Sequence, residues 1–220
     1  MRLGLIGDVH AEDVHLKLTL DAFREARVER VLCTGDLVDG LGDVERACAL
    51  LREANALVVR GNHDRWIRAD EMRTLPHAHA MTALAVDTIA QLKSLPPTTS
   101  MAIPGGGTLL LCHGVGANDM CRLLPDDQGY AISSNDDLLA ILFDANVRVM
   151  VAGHTHRPML RRFERGHGKP PLVAVNPGTL ARDDEPGFAI LELDDAGSGH
   201  VDFHRIASDH TVARTSSAIL

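Results

Sequence analysis

Ala56-Leu57-Val58-Val59-Arg60-Gly61-Asn62-His63-Asp64 is the stretch on which the reading of this chain turns. The apolar run reads as a short buried strand. Gly61 lets the backbone turn sharply, and an amide, an imidazole and a carboxylate follow in successive positions. The plain alternative is a polar turn. A polar grip at the carboxyl edge of a sheet, where α/β proteins place their ligands, explains the three donors better.

The same pattern recurs along the chain. Asp8-Val9-His10 follows Leu3-Gly4-Leu5-Ile6, and Gly35-Asp36-Leu37-Val38-Asp39 follows Val31-Leu32-Cys33. His113-Gly114 follows Thr108-Leu109-Leu110-Leu111-Cys112, and Gly153-His154-Thr155-His156 follows Val147-Arg148-Val149-Met150-Val151. Five apolar runs thus end in Asp, Asn or His, the oxygen and imidazole donors that divalent transition metals prefer.

In this order, D-x-H, G-D-x-x-D, G-N-H-D, an isolated His before Gly, and G-H-x-H resemble the calcineurin-like metallophosphoesterase superfamily. The match spans positions 8 to 156, and Asn176-Pro177-Gly178-Thr179 looks like the small single-domain phosphodiesterase type. The resemblance implies an α/β (α+β) fold, a four-layer αββα sandwich of two mixed β-sheets flanked by helices. It also implies two divalent ions, with manganese favoured, and mixed N/O ligation fits manganese, iron or zinc better than magnesium or calcium. Asp8, His10, Asp36 and His156 would hold the first ion. Asp36, Asn62, His113 and His154 would hold the second, with Asp36 shared. His63 looks like the histidine that protonates the leaving oxygen, and Asp39 like the acid that orients it. The implied reaction is hydrolysis of a phosphate ester by a water activated between the ions.

One departure bears on substrate. Family protein phosphatases and diadenosine tetraphosphate hydrolases usually carry an Arg close behind the G-D-x-x region, where this chain has Gly40-Leu41-Gly42. With no segment long enough for a cap domain, a small phosphodiester is expected ahead of a phosphomonoester or phosphoprotein. A non-catalytic protein-binding scaffold on the same fold is the alternative from another class. Arg60, Arg157 and Arg182 could contact phosphate, with surface salt bridging as their ordinary role. Asp64 reads as a turn stabiliser.

Composition sets the outer limits. A chain of 220 residues, 45% hydrophobic and 24% charged, suits one α/β domain over residues 1–220. Aromatics make up only 3%, too few for a base-stacking surface. A formal net charge of -8 argues against general nucleic-acid binding and against an anionic membrane surface. Cys33, Cys48, Cys112 and Cys121 form no C-x-x-C pair and read as small buried hydrophobes in a reducing compartment. The first residues enter a strand without a signal-peptide apolar region, so a cytoplasmic protein is expected.

The periodicity predicts a helix over about Asp13–Arg27, with Val14, Leu18, Ala22 and Ala26 on its apolar stripe, widened by Leu16, Leu20 and Phe23. His15 reads as surface. A second helix should be capped by Asp43 and bury Val44, Ala47, Cys48 and Leu51. Positions 65–80 are the least readable stretch, and an irregular loop after Pro76 should leave His77 and His79 facing solvent rather than metal. A helix over Ala83–Leu95 should stop at Pro96-Pro97, and Met101–Cys112 should form a hairpin across Gly105-Gly106-Gly107. Ser133 or Ser134 should cap the helix through Leu138 to Phe143. Two strand pairs follow, Met159–Phe163 with Leu172–Val175 and Phe188–Leu193 with Val201–Ile206, before a polar tail at 207–220 that should fray.

Overall fold

Side-chain alternation in the first strand, β1 (Arg2–Ile6), separates the layers. Leu3 and Leu5 point into one apolar cluster and Ile6 into another. β1 is followed by α1 (Asp13–Glu25), β2 (Arg30–Cys33), α2 (Val44–Glu53), β3 (Leu57–Val58) and α3 (Asn62–Ala69). α4 (Val86–Ser94), β4 (Thr98–Ala102), β5 (Thr108–Cys112), α5 (Tyr130–Ser133), α6 (Asp136–Phe143) and β6 (Val147–Val151) come next. β7 (Met159–Phe163), β8 (Leu172–Asn176), β9 (Gly187–Leu193), β10 (Gly199–Ile206) and β11 (Val212–Ile219) complete the chain. This computed structural model describes residues 1–166 and 168–220, and His167, in the loop between β7 and β8, lies outside them.

The strands form a six-stranded sheet, β11-β10-β9-β1-β2-β3, and a five-stranded sheet, β4-β5-β6-β8-β7. In the first, β1, β2 and β3 run parallel, and β9 joins β1 antiparallel. In the second, β5, β6 and β8 run parallel. Three apolar clusters account for the layering. Leu3, Leu5 and Leu32 meet Leu109, Val149 and Val175 between the sheets. Leu16, Phe23 and Leu51 cover the outer face of the first sheet, and Leu138 and Ile141 cover that of the second. The expected αββα sandwich is therefore present, with both sheets mixed.

Local expectations hold for α2, whose buried residues are Val44, Ala47, Cys48 and Leu51 and whose Asp43 side chain accepts from Arg46 N. The stripe of α1 is rotated from the predicted one. Leu16, Thr19 and Phe23 are buried, whereas Val14 is exposed. Phe23 fixes that rotation. Its ring packs edge-on against Phe188 and lies over Gly4, where a Cβ would sit 2.5 Å from the ring. Asn135, not Ser133 or Ser134, caps α6 by accepting from Leu138 N.

The tail expected to fray is instead an edge strand. β11 pairs with β10 from His200↔Ile219 to Ile206↔Val212. Its residues are almost all exposed, so no apolar periodicity announced it, and backbone pairing holds it in place. Among the described residues no helix is long and apolar enough to cross a membrane.

Candidate metal centre

The parallel strands of both sheets end on the same side of the sandwich. Asp8 and His10 follow β1, Asp36 and Asp39 follow β2, and Asn62 and His63 follow β3. His113 follows β5, and His154 and His156 follow β6. All nine residues named from the sequence lie at this edge.

The turns that carry them are not extended. His10, Asp36, Asp39, His154 and His156 all take positive φ, between 45° and 65°. Left-handed backbone is costly for residues with a Cβ and survives only where neighbours impose it. Here Val9 N and His10 N donate to Asp36 O, and Ala11 N to Leu37 O, tying the β1 turn to the β2 turn. The sharp turn expected at Gly61 is also the start of α3, with Gly61 at its N-cap. A Cβ on Gly61 would lie 2.0 Å from Asp36 Oδ1, so only glycine lets β3 pass this close.

Two donor groups result. In the first, His10 Nε2 and His156 Nε2 are 3.2 Å apart, Asp8 Oδ2 is 3.6 Å from His156 Nε2, and Asp36 Oδ2 is 3.9 Å from His10 Nε2. In the second, Asn62 Oδ1 lies 2.7 Å from His113 Nε2 and 3.0 Å from His154 Nδ1, and Asp36 Oδ2 is 3.4 Å from His113 Nε2. Asp36 faces both groups.

The outer ring nitrogens fix the tautomers. His10 Nδ1 faces Asp39 O, His113 Nδ1 faces Thr34 O, and His156 Nδ1 faces the Asp184 carboxylate. Each must donate there, which leaves the three Nε2 lone pairs turned inward. Two inward lone pairs at 3.2 Å repel unless a proton or a cation lies between them. Asp8 Oδ2 is buried with no hydrogen-bond partner among the described residues, a cost of several kcal/mol for a lone carboxylate oxygen unless a cation meets it. The donor set therefore fits divalent ions. Burial opposes ionisation of Asp36, but His113 and His10 hold its carboxyl below the usual range. Burial also opposes the charged form of His113, and the Asp36 and Asp8 carboxylates outweigh it and raise its pKa.

His63 stands beside this centre. Its Nδ1 lies 2.8 Å from Asp39 Oδ2, and its ring packs near Trp66, the single tryptophan, at 4.7 Å. Burial works against the charged ring, but the hydrogen bond to Asp39 and the Asp36 carboxylate raise its pKa above the ordinary histidine value. A cavity of about 260 Å³ opens next to His63, His10 and His156, with Leu41, Pro76 and His77 on one side and Arg182 on another.

Several supporting residues were not predicted. Arg73 and His79 bind Asp39, and Asp184 binds His156. His79, expected to face solvent, accepts from Asp39 N through its Nδ1. His15, read as surface, places Nδ1 2.8 Å from Leu180 O. Thr179 Oγ1 and Leu180 N both bond Asp8 O, and Asn176 Nδ2 donates to Gly153 O. The Asn176–Thr179 stretch thus braces two of the ligand-bearing turns. Arg182 pairs with Glu12 and Arg157 with Asp126, as ordinary salt bridges. Arg60 is half-buried, and its Nε has no partner among the described residues.

Asp64 is the turn stabiliser the sequence indicated. Its Oδ1 accepts from Leu37 N and its Oδ2 from Gly61 N, and burial, then the Asp36 charge, pushes its carboxyl up to about 6. Asp64→Ala would strand two buried backbone donors. A loss of about 2–4 kcal/mol of stability is expected, read from urea midpoints. A change under about 0.5 kcal/mol would show that these donors find other partners.

A sequence comparison with curated proteins finds no match. Among solved structures, the fold is similar to a metallophosphoesterase from Sphaerobacter thermophilus, at 24% identity over 96% of this chain and 91% of that one, with a TM-score of 0.69. It is also similar to zinc-complexed Vps29 from Entamoeba histolytica, at 20% identity over 100% and 99% of the two chains, with a TM-score of 0.58. An archaeal phosphodiesterase shares 15% identity over 100% of both chains, with a TM-score of 0.53. These likenesses, all below 25% identity, show the fold. The family model for the calcineurin-like phosphoesterase superfamily domain matches residues 1–196, and the chain belongs to that superfamily.

Proposed function

We propose that this protein is a hydrolase of small phosphodiesters that works with two divalent ions. The observation that carries the reading is the pair of donor groups sharing Asp36, with an unpartnered Asp8 oxygen and three inward imidazole lone pairs. Asp8, His10, Asp36 and His156 would hold one ion, and Asp36, Asn62, His113 and His154 the other. Ions bound there supply Lewis-acid polarisation of the phosphoryl group and acidify water. Manganese, iron and zinc all suit the mixed N/O donors, with manganese favoured.

The chain's own residues do the rest. Asn62 contributes an oxygen without negative charge, which keeps the centre attractive to a phosphate anion. His63, protonated and held by Asp39, gives a proton to the departing oxygen. The cavity beside His63 has room for a small leaving group. The buried cysteines support a reducing, cytoplasmic setting. Burial pushes the Cys48 and Cys112 thiols up to about 12, so they stay protonated and inert.

The test is hydrolysis of bis(p-nitrophenyl) phosphate against p-nitrophenyl phosphate by metal-stripped protein resupplied with manganese. Faster metal-dependent turnover of the diester is expected. Preference for the monoester would favour a phosphatase. Tight metal binding with no turnover of either would favour a binding scaffold.

Asp184 provides a separate check on the first donor group. Its carboxylate receives His156 Nδ1–H and so orients the ring. Asp184→Asn should weaken one ion roughly 10- to 100-fold and leave the other unchanged, as measured by titration calorimetry. Equal weakening of both ions would contradict the division of ligands.

A further inference from the structure

The geometry points to Arg73 as a positioning residue for the proton donor, acting through Asp39 on His63. This takes the phosphoesterase reading as its basis and adds a residue from outside every ligand-bearing turn. Arg73 lies in the stretch between α3 and α4. Its guanidinium is almost wholly committed. Nη1 donates to Asp39 Oδ1 at 2.9 Å and to His79 O at 2.7 Å, Nη2 donates to Asp39 Oδ2 at 2.9 Å, and Nε donates to Glu71 O at 2.6 Å.

Asp39 is correspondingly surrounded. Its Oδ1 accepts from Arg73 and from His79 N, and its Oδ2 accepts from Arg73 and His63 Nδ1. Its own backbone N–H donates to His79 Nδ1. The residue is 6% exposed and sits at φ 64°, a backbone setting that needs such support. The fork geometry of a guanidinium, matched to a carboxylate, fixes the plane of the acid and hence the direction of its lone pair toward His63. With Asp39 pinned on three sides, the His63 ring has one orientation in which Nδ1 donates. Its Nε2 is then the nitrogen left to give a proton.

A positioning role and a merely structural one differ in what they do to the leaving-group step. Arg73→Ala should lower kcat about 10- to 100-fold on phenyl phosphodiesters, where the leaving oxygen needs a proton. On 2,4-dinitrophenyl phosphodiesters, whose leaving group departs unprotonated, the loss should be under about threefold. KM and the bound-metal stoichiometry should not change. Arg73→Lys should not restore activity, because a single ammonium cannot reproduce the fork. In a His63→Ala background, adding Arg73→Ala should cost under about threefold more, since both act on one step.

Melting curves identify any variant that does not fold, and Arg73→Gln, which keeps polar bulk, then takes the place of Arg73→Ala in the cycle. Multiplicative losses in the double variant, or equal losses on both leaving groups, would overturn the positioning role while leaving the phosphoesterase reading intact. Absence of turnover by the metal-loaded wild type would overturn both.

Discussion

Asp36→Asn is expected to empty the metal centre. Asp36 is 2% exposed, and its Oδ2 lies 3.4 Å from His113 Nε2 and 3.9 Å from His10 Nε2, one imidazole from each donor group. The substitution keeps the shape of the side chain and removes its charge, so each ion loses an anionic ligand. It also turns an amide N–H₂ toward lone pairs that would otherwise hold cations, or else presents that amide to His63 N, which now donates to Oδ1 at 2.8 Å. Residues that only support a ligand typically cost 10- to 100-fold in metal affinity, so loss of a shared ligand should exceed about 100-fold at both sites. Elemental analysis after dialysis should show the wild type keeping two ions and the variant fewer than one. Turnover should fall with it. Two tightly held ions in Asp36→Asn would sink the sharing of Asp36, and with it the division of ligands proposed above.

The residues that hold cations were legible in the sequence because their chemistry is local. Asp8, His10, Asp36, Asn62, His113, His154 and His156 each follow an apolar run within a few positions, and strand ends converge wherever parallel strands are neighbours. The residues that hold those side chains in place were not legible. Arg73 and His79 reach Asp39 from 34 and 40 positions away, and Asp184 reaches His156 from 28. No apolar run precedes them, and a polar side chain in a loop carries no periodicity that says which way it faces. His79 shows the point. It sits between two alanines like any solvent-facing histidine, yet both its backbone N–H and its ring are spent on Asp39. The left-handed turns were hidden for a related reason. Asp and His tolerate that backbone better than most residues, but only long-range bonds such as His10 N to Asp36 O make them adopt it. β11 was missed because an exposed edge strand has no buried face to pattern its sequence.

His63→Ala is expected to separate chemistry from metal binding. His63 lies close enough to His10 and Asp36 to be counted with them as a possible ligand group. Its Nδ1 donates to Asp39 Oδ2 at 2.8 Å, which leaves Nε2 for a proton or for a metal, and the proposed acid role takes the proton. The alanine variant should therefore retain both ions with unchanged affinity. Its kcat should fall roughly 10²–10⁴-fold on phenyl phosphodiesters, the range expected for losing a positioned general acid. The fall should be much smaller on 2,4-dinitrophenyl esters, which leave without a proton. Elemental analysis and the two substrates together distinguish the roles. Loss of an ion with equal rate losses on both esters would make His63 a ligand. Retained ions with a loss confined to the poor leaving group would make it the acid. Retained ions with unchanged turnover would remove it from the reaction, and its hydrogen bond to Asp39 would then serve only to hold α3 against the turn after β2.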